Sequence, residues 1–202
     1  MHVPKIFQPD RSQVQELIAA NPLATVMSFQ DDWPLATPLP LLLREDGEGQ
    51  YLLGHFSKRN PQVKSLQKNA RAMAVFLGPH GYVSPSWCRD RSQAPTWNFA
   101  MCQFVVDVEF TDNATASEEA VNELTNALEK NRPNSWHSKE LGERYDKLLG
   151  GIIAFRARVI EQKHKFKLGQ NERQDVYEDV LQGLEENAHF SLADLMRRQR
   201  TQ

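Results

Sequence analysis

Ser57-Lys58-Arg59-Asn60-Pro61 places a hydroxyl and two cations immediately ahead of a helix start. Asn60 has the side chain to cap that helix, and Pro61 suits its first position, with the helix ending near Lys68. Free backbone N–H groups and the helix dipole make such a terminus hospitable to an anion. The chemistry on offer is phosphate binding. A solvated basic turn has the same composition, and both readings are open at this point.

A second group lies between Gly78 and Phe99, GPHGYVSPSWCRDRSQAPTWNF, which holds three of the eleven prolines and two of the four tryptophans. Ser84-Pro85-Ser86-Trp87 and Pro95-Thr96-Trp97-Asn98 each set a flat aromatic beside hydrogen-bonding groups. Read as a loop, the stretch far exceeds the usual connection of about 2–6 residues. It suits a flat, polar-edged ligand such as a flavin, stacked on one surface and hydrogen-bonded at its rim. Tryptophans closing the core under a long loop are the other reading. Further on, Lys163, Lys165 and Lys167 recur at period two ahead of Gln170 and Asn171. That row is either a solvated edge or a second positive wall for a phosphate.

Other chemistries find no support. The six histidines lack HExxH or other tight ligand spacing, and Cys88 and Cys102 lack CxxC spacing, so no metal site is expected. No nucleophile or acid–base arrangement can be read from spacing, no catalytic residue is assigned, and no GxGxxG marks a Rossmann-type nucleotide site.

The elements that must position these residues are short. Asp10 and Gln13 form a capping box for a helix carrying Val14, Leu17 and Ile18 and ending near Ala20. Leu23 to Phe29 is apolar on both faces and reads as a buried strand; Asp31-Asp32 turns into a second strand, Leu35 to Leu43. Pro38 and Pro40 strip two N–H groups from one side of that strand, which makes it an edge, either simply protected or open to a ligand or partner chain. A hairpin loop at 45–49 leads to a strand from Gln50 to His55, and another runs from Arg71 to Leu77. Phe104, Val106, Val108 and Phe110 alternate along a strand after the aromatic stretch. A helix opened by Ser117-Glu118-Glu119 carries Val121, Leu124 and Leu128, and a second starts near Ser138. The last strand begins at Gly150-Gly151 and points Ile153, Phe155, Ala157 and Val159 inward. Val176, Val180 and Leu181 mark one tail helix, and Ser191 with Asp194 caps another that ends in Arg197, Arg198 and Arg200. At least six short strands, mostly hairpin-connected, with helices at the start, after Asn60, mid-chain and at the end suggest an α+β fold around an antiparallel barrel with peripheral helices. Residues 1–184 form that domain and 185–202 a C-terminal helical tail.

With 202 residues the chain can bury one good core. Lys plus Arg count 24 against 26 Asp plus Glu, for a net charge of −2, which is not the footprint of a strongly basic nucleic-acid-wrapping domain. No window suggests a membrane span, MHVPKIFQPDRSQ is no signal peptide, and two cysteines make no disulfide framework. A cytoplasmic setting is the expectation.

Motifs along nearly the whole chain, from Met1 to about Leu184, carry a resemblance. They are His2-Val3-Pro4 with Phe7, Pro22-Leu23-Ala24-Thr25, Leu39-Pro40-Leu41-Leu42-Leu43, Gly54-His55 and Asn60-Pro61-Gln62. Gly78-Pro79, Ser84-Pro85-Ser86-Trp87, Pro95-Thr96-Trp97-Asn98 and Lys165-Phe166-Lys167-Leu168 with Gln170-Asn171 continue the series. Together they resemble the PaiB family, FMN-binding negative transcriptional regulators with a split-barrel fold related to the pyridoxamine phosphate oxidase flavoproteins. The resemblance implies a homodimer with FMN at the dimer interface, and a regulator's contact with DNA. It implies a phosphate near Ser57, Lys58, Arg59 and Asn60. It brings Thr37, Leu39, Pro40 and His55, together with Ser84, Ser86, Trp87, Trp97 and Asn98, near the flavin. Lys167, Gln170 and Asn171 complete the implied FMN set.

The chain departs from that family's usual pattern at Thr37 (His), Lys58 (Arg), Val63 (Trp), Cys88 (Tyr), Phe99 (Tyr), Gln103 (His) and Gly169 (Ser). The departures remove aromatic surface, hydroxyl donors and a bidentate guanidinium. Weakened or lost flavin binding, leaving a flavin-free dimeric interaction module, is therefore one alternative to the FMN-binding regulator. A flavin-dependent oxidoreductase acting on a small cytoplasmic substrate is the other.

Overall fold

The computed structural model describes residues 1–200, so the last two residues of the expected tail lie outside the described part. Seven strands, β1 (Leu23–Gln30), β2 (Trp33–Pro40), β3 (Leu42–Asp46), β4 (Gly49–Ser57), β5 (Arg71–Val83), β6 (Thr96–Thr111) and β7 (Ile152–Lys167), form one sheet in the order β2-β1-β5-β6-β7-β4-β3. Helices α1 (Arg11–Ala20), α2 (Pro61–Lys68), α3 (Ala114–Glu129), α4 (Arg144–Leu149), α5 (Gln174–Glu186) and α6 (Phe190–Arg200) precede, separate and follow the strands along the chain. The chain divides into two compact units, with one cut between α1 and β1 and the others inside β5, β6 and β7.

One unit comprises residues 21–76 and 103–162. Its buried rings include Phe56 and Phe155, 5.2 Å apart between centroids, and Phe76 edge-on to Phe104. β2 is an edge strand, as Pro38 and Pro40 require, since neither can donate to a further neighbour. The single strand expected over 35–43 is instead two, broken at Leu41, whose N–H donates to the carbonyl of Pro22.

β1 corrects a second expectation. It is not buried on both faces: Ala24, Val26 and Ser28 are covered, while Leu23 and Phe29 stand 61% and 64% exposed. The register pairs Leu23 with Pro40, Thr25 with Pro38, Met27 with Ala36 and Phe29 with Pro34. Directly paired residues share a face, so the hairpin presents one outer face with no charged group. In α3 the cap is Asn113, whose Oδ1 accepts from Ala116 N at 2.7 Å, three residues earlier in effect than the acids suggested. Its buried stripe is Ser117, Ala120 and Leu124, and Leu128 is exposed.

The other unit comprises residues 1–20, 77–102 and 163–202, described to residue 200. The capping box of α1 is formed in both directions: Gln13 N donates to Asp10 Oδ1 at 2.9 Å and Asp10 N to Gln13 Oε1 at 2.8 Å. The stretch expected as one long loop is mostly regular. β5 continues to Val83, a 3-10 turn spans Pro85–Trp87, and β6 starts at Thr96, which leaves Ser84 and residues 88–95 outside regular elements. Burial along β5 falls on even positions up to Gly78 and on odd positions from Gly81. The face therefore switches around Pro79-His80, the behaviour of a bulge. Gly78 lies against α1, where an added Cβ would come within 2.4 Å of Leu17 Cδ1. α6 opens at Phe190, so Ser191 sits inside it rather than at its cap.

Candidate functional site

In the first unit, β4 delivers His55 and Ser57 on one face, and the turn beyond it carries Lys58, Arg59 and Asn60 into α2. Asn60 caps as expected: its Oδ1 accepts from Gln62 N at 2.9 Å. Its Nδ2 donates to the Thr37 hydroxyl at 3.0 Å, and Thr37 in turn donates to Gln62 Oε1 at 2.7 Å. Gln62, only 1% exposed, donates to the Val26 carbonyl at 3.1 Å and the Ser28 hydroxyl at 3.0 Å. Thr37 and Asn60 are thus brought together, by a residue the site expectation left out. Leu39 shares the Thr37 face of β2, half-buried opposite Ala24, and Pro40 ends the strand opposite Leu23.

The backbone at this helix start is less available than its position suggested. Lys58 N donates to Gly151 O, Arg59 N to Ser57 Oγ, Asn60 N to Ser57 O and Val63 N to Asn60 O. With Gln62 N also engaged and Pro61 lacking an N–H, an anion here is held by side chains. Lys58 pairs with Asp112 at 2.8 Å. Arg59 is exposed, with no side-chain partner among the described residues. The Ser57 hydroxyl accepts from Arg59 N and keeps its own proton to donate. Close by in the chain, His55 has a buried Nδ1 without a hydrogen-bond partner, and desolvation lowers its pKa.

In the second unit the Ser84 and Ser86 hydroxyls lie 2.6 Å apart, and Ser84 Oγ accepts from Ser86 N at 3.1 Å. This caps the 3-10 turn that carries Trp87. A Cβ on Gly183 of α5 would fall 2.4 Å from Trp87 Cδ2, so this indole is packed flat against a helix and closes structure. Asn98 is buried and donates to Met196 Sδ at 3.5 Å. Gln170 closes the turn after β7, accepting from Leu168 N at 2.8 Å. Asn171 is exposed. Lys167 donates to Thr96 Oγ1, and Lys165 lies over the rings of Phe7 and Phe99.

Trp97 differs from Trp87. It is 49% exposed, its Nε1 donates to His80 Nδ1 at 3.3 Å, and it neighbours Tyr82 at 6.2 Å between centroids. His80 and Tyr82 escaped the sequence reading because Gly78-Pro79-His80-Gly81 looks like loop punctuation. The alternation His80-x-Tyr82, set beside a strand starting at Thr96, was the signal available.

Cys88 and Gly169, two of the departures, line a common cavity of about 30 Å³ with Asn98, Tyr177 and Met196. That space admits a water or two, and the buried Tyr177 hydroxyl has no hydrogen-bond partner among the described residues. Burial pushes the Cys102 thiol up to about 12, and burial with Asp179, Glu172 and Asp90 nearby raises Cys88. Neither is a thiolate nucleophile near neutrality. Among the described residues no cluster of three His, Cys, Asp or Glu could hold a metal, and no helix is long and apolar enough to cross a membrane. Of the basic residues on α6, Arg197 pairs with Glu185 and Asp194, and Arg200 lies over Tyr177 at 4.1 Å.

Each unit offers one feature that fits FMN. In the first, the unengaged Arg59 guanidinium lies in the same turn as the Ser57 hydroxyl and Lys58, which suits a phosphate; in the second, an exposed indole face with its edge already hydrogen-bonded suits a flat ring.

Residues 1–161 match the family model described as "Putative FMN-binding domain". The chain is 30% identical over 205 residues to "Protease synthase and sporulation protein PAI 2" of Bacillus subtilis (strain 168), covering 97% of this chain and 96% of that protein. It is similar in structure to the FAD and heme binding protein from Mycobacterium smegmatis (TM-score 0.61, 21% identity, 89% of this chain and 80% of that one). It is also similar to the flavocytochrome Anf3 from Azotobacter vinelandii (TM-score 0.59, 17% identity, 82% and 72%). At these identities the structural likeness carries the fold alone, the antiparallel split β-barrel with peripheral helices. The family match and the full-length relative go further: the chain belongs to the PaiB family of FMN-binding domain proteins, with FMN as the family's cofactor.

Proposed function

We propose that the protein is a homodimeric transcriptional regulator that takes FMN as its ligand. The observation that carries the ligand reading is the exposed, unpartnered Arg59 guanidinium in the same turn as the Ser57 hydroxyl and Lys58, a turn locked by the buried Gln62 network. Arg59 and Ser57 bind the phosphate directly, and Lys58 shifts from Asp112 to join them. FMN, when bound, supplies a ring able to accept and return electrons. The Gln62 network spares the site reorganisation by holding the start of α2 in place before ligand arrives.

The second copy covers the uncharged outer face of the β1–β2 hairpin, Leu23, Thr25, Met27 and Phe29 with their proline and alanine partners. A face of that composition exposed to water favours association. The regulatory reading draws on the likeness to the Bacillus subtilis protein named protease synthase and sporulation protein PAI 2. No DNA contact is assigned to Arg197 or Arg200, which pair with Glu185 and lie over Tyr177 within their own unit.

The test pairs two assays on the FMN-loaded protein. A shift of a fragment from upstream of the protein's own gene, weakening steeply with salt because phosphate contacts release counterions, supports regulation. Steady turnover of a reduced nicotinamide nucleotide with no such shift overturns it in favour of an oxidoreductase.

A further inference from the structure

We infer that His80 and Tyr82 of β5, with Trp97 of β6, form the platform on which the isoalloxazine ring of FMN stacks, with Lys165 supplying its positive border. This deepens the FMN reading and rests on it. His80 and Tyr82 are two apart on the strand and share a face beyond the switch at Pro79-His80; Tyr82 is 44% exposed. The His80 and Trp97 rings lie 6.0 Å apart between centroids with planes 27° from parallel, and the Tyr82 ring neighbours the indole at 6.2 Å, tilted by 54°.

Hydrogen bonding decides what this trio offers. The indole has one donor, and it is spent on His80 Nδ1. What remains of Trp97 is its π face. The same bond makes Nδ1 of His80 the acceptor, which puts the imidazole proton on Nε2. The platform therefore pairs a stacking surface with one ring-edge donor, the set a flavin's carbonyl and ring nitrogens accept from. Buried or engaged residues from the same stretch, Trp87 and Asn98, do not compete for that role.

Charge points the same way. Across β5 from 77 to 83, β6 from 96 to 102 and β7 from 163 to 167 there is no Asp or Glu, against Lys163, Lys165 and Lys167. Lys165 sits 5.9 Å from the centroid of Phe99, two residues beyond Trp97 on the same strand face. A chain with net charge −2 has gathered cations and excluded anions here, which complements an anionic, electron-poor cofactor.

The test titrates wild type, His80→Ala, Tyr82→Ala, Tyr82→Phe and Arg59→Ala with FMN and with riboflavin, following flavin fluorescence and the visible band. Far-UV circular dichroism and thermal unfolding on each variant confirm the fold, which substitutions of these exposed side chains leave intact. Stacking of a base-like ring on an aromatic is worth about 1–3 kcal/mol. Tyr82→Ala is therefore expected to weaken FMN and riboflavin alike, roughly fivefold to a hundredfold, and His80→Ala to weaken both. Tyr82→Phe keeps the ring and binds like wild type, whereas Arg59→Ala loses affinity for FMN alone. If wild type binds FMN and neither alanine variant changes ring affinity, the platform is overturned and the FMN reading stands. If wild type binds neither flavin, both fall together.

Discussion

Thr37 and Gln62, twenty-five positions apart, share a 2.7 Å hydrogen bond in which the hydroxyl donates to Oε1. That contact joins the proline-marked edge strand β2 to the first turn of α2. Through Asn60 Nδ2, which donates to the same hydroxyl at 3.0 Å, it fixes the residue that caps the helix. The turn bearing Ser57, Lys58 and Arg59 is consequently held from two sides, by β2 and by the Gly151 carbonyl that accepts from Lys58 N at 2.9 Å.

Gln62→Leu tests the network. It keeps similar bulk but takes the amide donor from the Val26 carbonyl and the Ser28 hydroxyl and the acceptor from the Thr37 hydroxyl, which keeps only Asn60. A buried polar group left unpaired costs about 1–3 kcal/mol, with incomplete additivity among neighbours. Urea unfolding is expected to show a loss of about 2–3 kcal/mol at unchanged slope. A loss below ~0.5 kcal/mol would mean the network carries little of the fold's stability.

Gly183→Ala tests the seat of Trp87. The new methyl would meet Cδ2 at 2.4 Å and Cγ at 2.5 Å, and an indole has no flexible end to swing away. Overpacking of this kind costs about 1–3 kcal/mol. The expected result is lower thermal stability with altered near-UV circular dichroism. Wild-type values for both would show that the indole does not lie where it is described.

Stability should fall with acid in two separate windows. His164 is depressed to about 4 and His55 is lowered from 6.5, in each case by desolvation. Below pH 6.5 the unfolded chain binds protons that the folded chain does not, so stability is full above that pH and declines between about 6.5 and 4. Asp46 is lowered chiefly by Arg158, Asp175 by Arg173, and Asp90 by the Ser92 hydroxyl and amide with Arg173 behind them. Their contribution is present above about 3.8 and disappears only at stronger acid. Chemical unfolding across pH 7.5 to 4.5 is expected to slope downward with falling pH, and His164→Gln to flatten that slope. An unchanged slope in the variant would remove the histidine as its cause.

Much of the fold could be read from residue types acting locally. Asp10 with Gln13, Asn60 with Pro61, and the paired prolines 38 and 40 each work through the backbone of their own segment. Each does in the structure what its chemistry demands. The misreadings have a different cause. Gly78 and Gly81 looked like loop residues, yet each sits where an added Cβ would come close to a helical leucine, Leu17 and Leu192. Trp87 and Trp97 occupy similar motifs, and what separates them is Gly183, far along the chain. β1 is apolar on both sides, and no local pattern says that one of them is left uncovered within the chain.

That uncovered side yields a direct check on assembly. Phe29→Lys places a charge at the turn end of the apolar outer face without replacing Val26 or Ser28 on the covered side. Sedimentation is expected to show a dimer for wild type and a shift toward monomer for the variant. A wild type that stays monomeric at every concentration would refute the second-copy assignment.

Phosphate recognition by Arg59, Ser57 and Lys58 is the centre of the account, and parallel titration with FMN and riboflavin measures it most directly. The two ligands differ in the phosphate alone. Wild type is expected to favour FMN. Arg59→Ala and Lys58→Ala should each reduce that preference by roughly tenfold or more, the scale of a charge-assisted hydrogen bond of about 1.5–3 kcal/mol. Lys163→Ala should leave it nearly unchanged. Equal losses from Lys58→Ala and Lys163→Ala, or a wild type that leaves FMN fluorescence unaltered throughout, would contradict it.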